Sequence, residues 1–314
     1  MSKSSGDSAQ SAAVHQPVLL REVIQYLELE PGLTVVDGTV GAGGHSRKIL
    51  DLLGETGLLI GLDRDPMMLK LAEARLNNQT NCHLRQASYI ELPRVLKEWG
   101  LGEVDRVLLD LGLSSDQLAD DARGFGFDAK GPLDLRFDVS QGQPAWEWIA
   151  DQTEAELTRV LETFGEERFS KQIAQEIVKR RNTQPVETAE DLIEAVAGAV
   201  PESAKRSARK HPATRVFQAL RIAVNRELEH VETALNDVLP QVLKPGGRAV
   251  VITFHSLEDR IVKDAFRDKS RWQNLTPHPI QATPTEARIN PRARSAKLRA
   301  ATRMPLPEPA GSPR

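Results

Sequence analysis

The run Val35-Val-Asp-Gly-Thr-Val-Gly-Ala-Gly-Gly44 constrains the fold of this chain more than any other segment. A short apolar stretch opens at Leu33 and closes on Asp37-Gly38. Gly38, Gly41, Gly43 and Gly44 follow one another within seven positions, and then Ile49, Leu50, Leu52 and Leu53 lie at helical spacing up to Gly54. A strand, a glycine turn and a helix in that order leave the main chain bare where the turn is tightest. Without Cβ atoms, a ligand can lie directly against backbone N–H groups at a helix start.

The same rhythm continues on both sides. Val18, Leu19, Val23 and Leu27 predict a helix; Gly57–Leu62 and Asp105–Asp110 predict buried strands; Pro66–Leu76 predicts a helix with proline in its first turn. Strands alternating with helices favour a parallel sheet covered on both faces. After Leu113 the pattern changes. Asp116–Gly142 is rich in Gly and Asp, and Trp146–Val200 carries only helical periodicity, for example Phe169, Ile173 and Ile177. A helix from Phe217 to Val242 then meets Lys244-Pro-Gly-Gly247, and a strand pattern returns at Arg248–Phe254. The expected fold is therefore an α/β Rossmann-like sheet with an inserted all-helical domain. Its expected parts are a polar tail at 1–14, a cofactor-binding domain at 15–117 and 211–300, a helical insertion at 118–210, and a flexible tail at 301–314. Pro277–Pro284 reads as a surface loop.

Asp63 closes the second strand 20 residues beyond Gly43, where a carboxylate can accept hydrogen bonds from ribose hydroxyls. This predicts a nucleoside-bearing cofactor, either a dinucleotide or S-adenosylmethionine. The dinucleotide fingerprint requires G-x-G-x-x-G, but Ser46 stands at the third glycine. Asp37 at the strand end is ill suited to a pyrophosphate and well suited to a cationic amino-acid moiety, so electrostatics favours the sulfonium cofactor.

Net charge is only -3, yet it is unevenly spread. Ser203–Arg226 holds seven Lys/Arg and no acid, and residues 260–314 hold twelve Lys/Arg against four acids, which leaves the other 235 residues at -18. Uninterrupted basic tracts suit phosphate. On the predicted helix after Pro212, Arg215, Gln218, Arg221 and Asn225 form one polar stripe, and Asn290–Arg299 is expected to extend the same phosphate-facing surface. The single Cys82 fits a reducing cytoplasm; no apolar run is long enough to span a membrane, and no signal-peptide core precedes Val18. His15, His45, Cys82 and His83 have no metal-ligand spacing, so no metal site is expected.

The ordered blocks His15-Gln-Pro-Val-Leu-Leu, Asp37–His45, Asp63-Arg-Asp65, Leu108–Ser115, Arg123-Gly-Phe-Gly-Phe, Gly131–Arg136, Phe164–Phe169, His211–Phe217, Phe254–Arg260 and Asn290–Ser295 carry a specific resemblance. From His15 to about Arg299 the chain resembles the bacterial small-subunit (16S) ribosomal RNA cytosine-N4 methyltransferases, the MraW or RsmH family. The resemblance implies a class I methyltransferase fold and S-adenosyl-L-methionine as cofactor. It implies that Gly43, Gly44 and His45 line the methionine end, that Asp63 holds the ribose, that Tyr89 packs near the adenine, and that Asp110 and Gln117 make further cofactor contacts. It also implies a cytosine in the decoding region as target, with small-subunit ribosomal RNA or the 30S particle as partner, and neither a membrane nor an obligatory protein partner.

The exocyclic amine of cytosine is a poor nucleophile because its lone pair is delocalised into the ring. Catalysis must then rest on accepting its N–H bonds and aligning it with the activated methyl. Many amino-methyltransferases place an Asp/Asn/Ser-Pro-Pro-Tyr/Phe loop after the fourth strand, whereas this chain reads Asp110-Leu-Gly-Leu113. Asp110 is thus a candidate catalytic acceptor as well as a cofactor contact. A stacking ring would come from Phe125, Phe127 or Phe254. His255 is a second catalytic candidate, to orient the base or take its proton. The rival readings are a dinucleotide-dependent oxidoreductase and a non-catalytic ribosome-assembly RNA-binding protein.

Overall fold

The computed structural model describes residues 17–77, 79–207 and 211–305. Eight strands, β1 (Thr34–Asp37), β2 (Leu58–Asp63), β3 (Cys82–Gln86), β4 (Val104–Asp110), β5 (Leu243–Thr253), β6 (Trp272–Asn274), β7 (Ile280–Gln281) and β8 (Lys297–Arg303), form one sheet. Their order is β3-β2-β1-β4-β5-β8-β6, and β7 also pairs with β8. β1 to β5 are parallel, while β8 runs antiparallel to β5, β6 and β7. This is the Rossmann-like α/β sheet that the sequence predicts. Because the chain winds outward from β1 to β3 and then restarts at β4 on the other side, a crevice opens at the carboxyl ends of β1 and β4.

Alternation along the central strands explains why both faces are apolar. Val36, Ile60, Val107, Leu109 and Val251 join one core, under the helices Leu92–Glu98 and Ser256–Ala265; Val35, Leu59, Leu108, Val250 and Ile252 join another, with helices Leu20–Leu27 and Gly44–Leu53. Such strands, buried on both sides, read as continuous hydrophobic runs.

Between β4 and β5 the described residues hold no strand, only one isolated bridge between Pro132 and Thr188. Helices Glu154–Gly165, Ser170–Arg180 and Ala189–Ala199 enclose a separate core. The helix Thr214–Asn225 gives Val216, Phe217, Ala219 and Leu220 to that core, so in packing terms the helical unit extends past the expected boundary at 211. At Gly165 a Cβ would stand 2.8 Å from the Arg215 carbonyl, so only glycine lets these two helices meet so closely.

The single long helix expected over 217–242 is broken. Arg226 adopts the left-handed conformation (φ 52), and a new helix starts at Glu227. The return strand begins at Leu243, pairs with Val104, bulges over Lys244–Gly247, and resumes at Arg248 opposite Arg106. β8 runs to Arg303, which corrects the flexible tail expected from 301. The expected tail at 1–14, together with His15, Arg209, Lys210 and residues 306–314, lies outside the described residues. No described helix is long and apolar enough to cross a membrane.

Candidate active site

The crevice at the sheet's reversal is a cavity walled by Gly38–Ala42, Gly44 and His45 after β1, Asp63 and Arg64 after β2, Tyr89 after β3, and Asp110–Ser114 after β4. Pro17 and Val18 close it from the amino-terminal side, Arg292 from the carboxyl-terminal side, and Glu227, Val231 and Glu258 from the helices beyond. Of the expected cofactor residues, Gly44, His45, Asp63, Tyr89, Asp110 and Gln117 stand on this wall. Gly43 does not. It is left-handed (φ 78), and a Cβ there would lie 3.3 Å from Leu76, so its bareness serves the packing of the turn on helix Pro66–Leu76.

Asp37 lies outside the wall as well, contrary to its expected place beside a cationic ligand. Its carboxylate is 1% exposed and is consumed by the turn: Oδ2 accepts the Ser46 hydroxyl at 2.7 Å and Oδ1 the Thr39 N–H at 3.3 Å. Burial raises its pKa, against the lowering effects of Ser46 and His45.

Asp63 ties the glycine turn to the next loop. Oδ2 accepts from Gly41 N–H and Oδ1 from Asp65 N–H, each at 2.9 Å. Burial pushes its pKa up to about 6, while those two N–H groups oppose the rise. Each oxygen keeps a lone pair for a diol. Asp65 caps the Pro66–Leu76 helix through Met67 N–H, receives the Gln117 amide at 2.8 Å, and pairs with Arg123 at 3.2 Å. Arg123, also buried, donates to the carbonyls of Arg136 and Phe137. The Gln117 carbonyl accepts from Ser114 N–H at 2.9 Å. Gln117 thus stiffens the loop after β4, and the Arg123–Asp65 pair joins the cofactor side of the cavity to the start of the insertion. Only the N-cap role of Asp65, before Pro66, was visible locally; its bonds to Gln117 and Arg123 span more than fifty residues.

Asp110 ends β4 with Oδ1 buried and without a hydrogen-bond partner. Burial lifts its pKa to about 7; the charge of Arg292 restrains the rise and that of Glu258 adds to it. Across from Oδ2, at 3.6 Å, is Nδ1 of His45, whose Nε2 lies 2.9 Å from the Val18 carbonyl. A carbonyl only accepts, so the imidazole proton sits on Nε2 and Nδ1 keeps a free lone pair toward Asp110. Burial lowers the His45 pKa, which keeps the ring neutral. The next residue after Val18, Leu19, is fully buried in the left-handed region (φ 53), with its N–H held by Glu286 at 2.7 Å.

His255 is not on the wall. It caps helix Ser256–Ala265: Nδ1 accepts from Glu258 N–H at 3.4 Å, and Nε2 lies 3.2 Å from Glu258 Oε1. Glu258 is the residue of this pair that lines the cavity. Burial works to raise its pKa, but His255, Arg221 and the Phe254 N–H together hold it below the ordinary value. Carboxylate and imidazole atoms of Glu227, His255 and Glu258 come within 4.8 Å of one another, the kind of grouping that can hold a metal. The guanidinium of Arg221 already grips both oxygens of Glu227, at 2.7 and 2.9 Å, and supplies the positive charge there.

That contact also corrects the expected RNA-facing stripe. Arg221 is spent on Glu227, Gln218 donates to the Phe164 carbonyl, and Asn225, 2% exposed, bonds Leu135 and Phe137 main chain; only Arg215 stays exposed. In the second tract Arg299 and Lys297 pair with Asp259 at 2.7 and 3.0 Å, and Arg303 with Glu103 at 3.4 Å. Of the three candidate stacking rings, Phe125 is buried, Phe127 is 37% exposed against His211 and Phe217, and Phe254 lies under Arg292.

Comparison with known proteins adds an independent finding. The MraW methylase family model matches residues 12–304. A ribosomal RNA small subunit methyltransferase H from Trichlorobacter lovleyi is 47% identical over 309 residues, covering 92% of this chain and 98% of that protein. Its counterpart from Nitrosospira multiformis is 44% identical over 314 residues, with 93% and 98% covered. Among solved structures, an rRNA-methylase from Clostridium thermocellum covers 94% of this chain and all of its own, at 11% identity and a TM-score of 0.46.

Proposed function

The chain belongs to the MraW methylase family, and from that premise we propose that it methylates N4 of a cytosine in the decoding region of small-subunit ribosomal RNA. Its cofactor is S-adenosyl-L-methionine, and its place of action is the cytoplasm. The observation that carries the reading is Asp110: a carboxyl group at the sheet's switch point with one buried oxygen unpartnered, in the same cavity as the Asp63 carboxylate.

The residues present fit the cofactor. The bare wall at Gly38, Gly41 and Gly44 accommodates a ligand against main chain, Asp63 offers acceptors to a diol, Tyr89 offers a ring, and Asp110 offers a negative group near a cationic centre. When bound, S-adenosylmethionine supplies an activated methyl group on a sulfonium.

Asp110 accepts an N–H of the cytosine amine through Oδ2, the oxygen that is not buried, and fixes its direction. With a pKa near 7, Asp110 is partly ionised at neutral pH and is matched to receiving the proton that nitrogen releases. Nδ1 of His45 faces that same oxygen at 3.6 Å and offers a lone pair to the O–H formed when it takes the proton. Glu258 stays ionised under the influence of His255 and Arg221, so it and Asp110 are held in different states. The helical insertion and the remaining exposed cations, Arg215 among them, grip the RNA. A target base must leave its stack to reach this cavity.

The test is nucleoside mass mapping of ribosomal RNA from cells with and without the chain. A single N4-methylcytosine lost with the gene and restored by it is expected. Loss of a different methylated nucleoside would overturn the target assignment.

A further inference from the structure

Among the described residues, three arginines of the second basic tract, Arg288, Arg292 and Arg294, have no acid within ion-pair distance, and of these only Arg292 reaches the cavity. Arg299, Lys297 and Arg303 are each paired with a carboxylate, whereas among the described residues no carboxylate lies within 4.0 Å of Arg292. Arg292 stands instead on the cavity wall. The short turn Pro291–Ser295 carries it over the end of the sheet, where one Nη donates to the Leu113 carbonyl and the guanidinium lies 5.8 Å from the Phe254 ring centroid. Phe254 is itself held from below, since Gly112 (φ 97) approaches so near that a Cβ there would be 3.2 Å from the ring. A planar cation braced on an aromatic ring, with most of its five N–H donors uncommitted, is built to take an oxyanion bidentately.

On this geometry we propose that Arg292 forms an oxyanion subsite for the backbone phosphate of the nucleotide bearing the target base. The proposal rests on the methyltransferase reading above. Two oxyanions can be brought to this cavity, a nucleotide phosphate and the carboxylate of an amino-acid cofactor. Sheet order favours the phosphate. The glycine turn and Asp63 follow β1 and β2 on one side of β4, while Arg292 arrives from the β5–β8 side, next to Phe254. The guanidinium therefore comes in on the β5–β8 flank of Asp110, with its charge reaching His45 of the cofactor half as well. Its charge also acts on the Asp110 carboxyl, so engagement of the phosphate would be felt by the proton acceptor.

Wild-type protein with bound S-adenosylmethionine is titrated with cytidine, cytidine 5′-monophosphate and cytidine 3′-monophosphate. At least one monophosphate should bind about tenfold more tightly than the nucleoside, and Arg292→Gln should erase that difference. With ribosomal RNA, Arg292→Gln should raise KM about tenfold and reduce the slope of log affinity against log salt by about one, while Arg292→Lys keeps the slope. Cofactor affinity by calorimetry should stay within about twofold. Equal binding of nucleoside and both nucleotides by the wild type would overturn the subsite without any variant. A tenfold loss of cofactor affinity in Arg292→Gln, with RNA KM unchanged at saturating cofactor, would assign the arginine to the cofactor carboxylate instead. Failure of the wild type to methylate ribosomal RNA at all would overturn the underlying reading, which the nucleotide titrations keep separate from the subsite.

Discussion

Nδ1 of His45 faces Oδ2 of Asp110 across 3.6 Å, with its proton held on the opposite nitrogen by the Val18 carbonyl. This arrangement gives the O–H of the acid form of Asp110 a lone pair to point at. Asp110→Asn removes the proton acceptor while keeping shape. We expect kcat to fall about 10²–10⁴-fold with cofactor affinity within a few-fold, measured by single-turnover methyl transfer and calorimetry. A fall in cofactor affinity alone would reassign Asp110 to binding.

The pH profile should report the same group. Activity of the wild type should rise as pH passes through about 7, because the carboxylate is the competent form. Arg292→Gln removes a cation that restrains this pKa, so its rising limb should shift to higher pH. A shift in the other direction, or none, would separate the limb from Asp110.

Stability should show the opposite face of that pKa. Asp110 titrates near 3.8 when exposed and near 7 in the fold, so the folded chain holds the proton more tightly. Its stabilising contribution is complete below pH ~4 and is lost as pH rises through about 7. Relative to wild type, Asp110→Asn should therefore gain about 2–4 kcal/mol between pH 4 and pH 8 in urea denaturation.

Arg221 and Arg215 occupy one helix and were expected to act alike on RNA. Arg221→Ala strands the buried Glu227 and should lower stability by about 3–5 kcal/mol. Arg215→Ala should stay within about 0.5 kcal/mol and instead weaken RNA binding in a salt-dependent manner. Equal denaturation midpoints for the two variants would contradict the buried pair.

Gly165→Ala should loosen the helical insertion. A methyl group 2.8 Å from the Arg215 carbonyl must push two helices apart, at a cost of about 1–3 kcal/mol, read as a lower urea midpoint with the cofactor site intact.

The strands β1, β2 and β4 were legible because burial on both faces forces continuous apolar runs, and the glycine turn and Asp63 were legible because their chemistry is local. β3 and β8 were not. Cys82–Gln86 is an edge strand with mixed exposure, and Lys297–Arg303 looks like a solvated basic run until Asp259 and Glu103 are brought to it from 40 and 200 residues away. The same distance hid Arg292, which reads as an RNA-surface residue in sequence and lies on the cavity wall. The stripe on helix Thr214–Asn225 failed for a related reason: helical spacing shows which residues share a face and not which neighbour covers it.

Val18 and Arg292 wall one cavity from nearly opposite ends of the chain, and Leu19 is pinned by Glu286. During synthesis the glycine turn, Asp63 and Asp110 leave the ribosome long before the segment that closes over them. A chain cut short before Pro291 would lack both the Arg292 wall and the strand that pairs with β5, however much of the glycine turn it already carries.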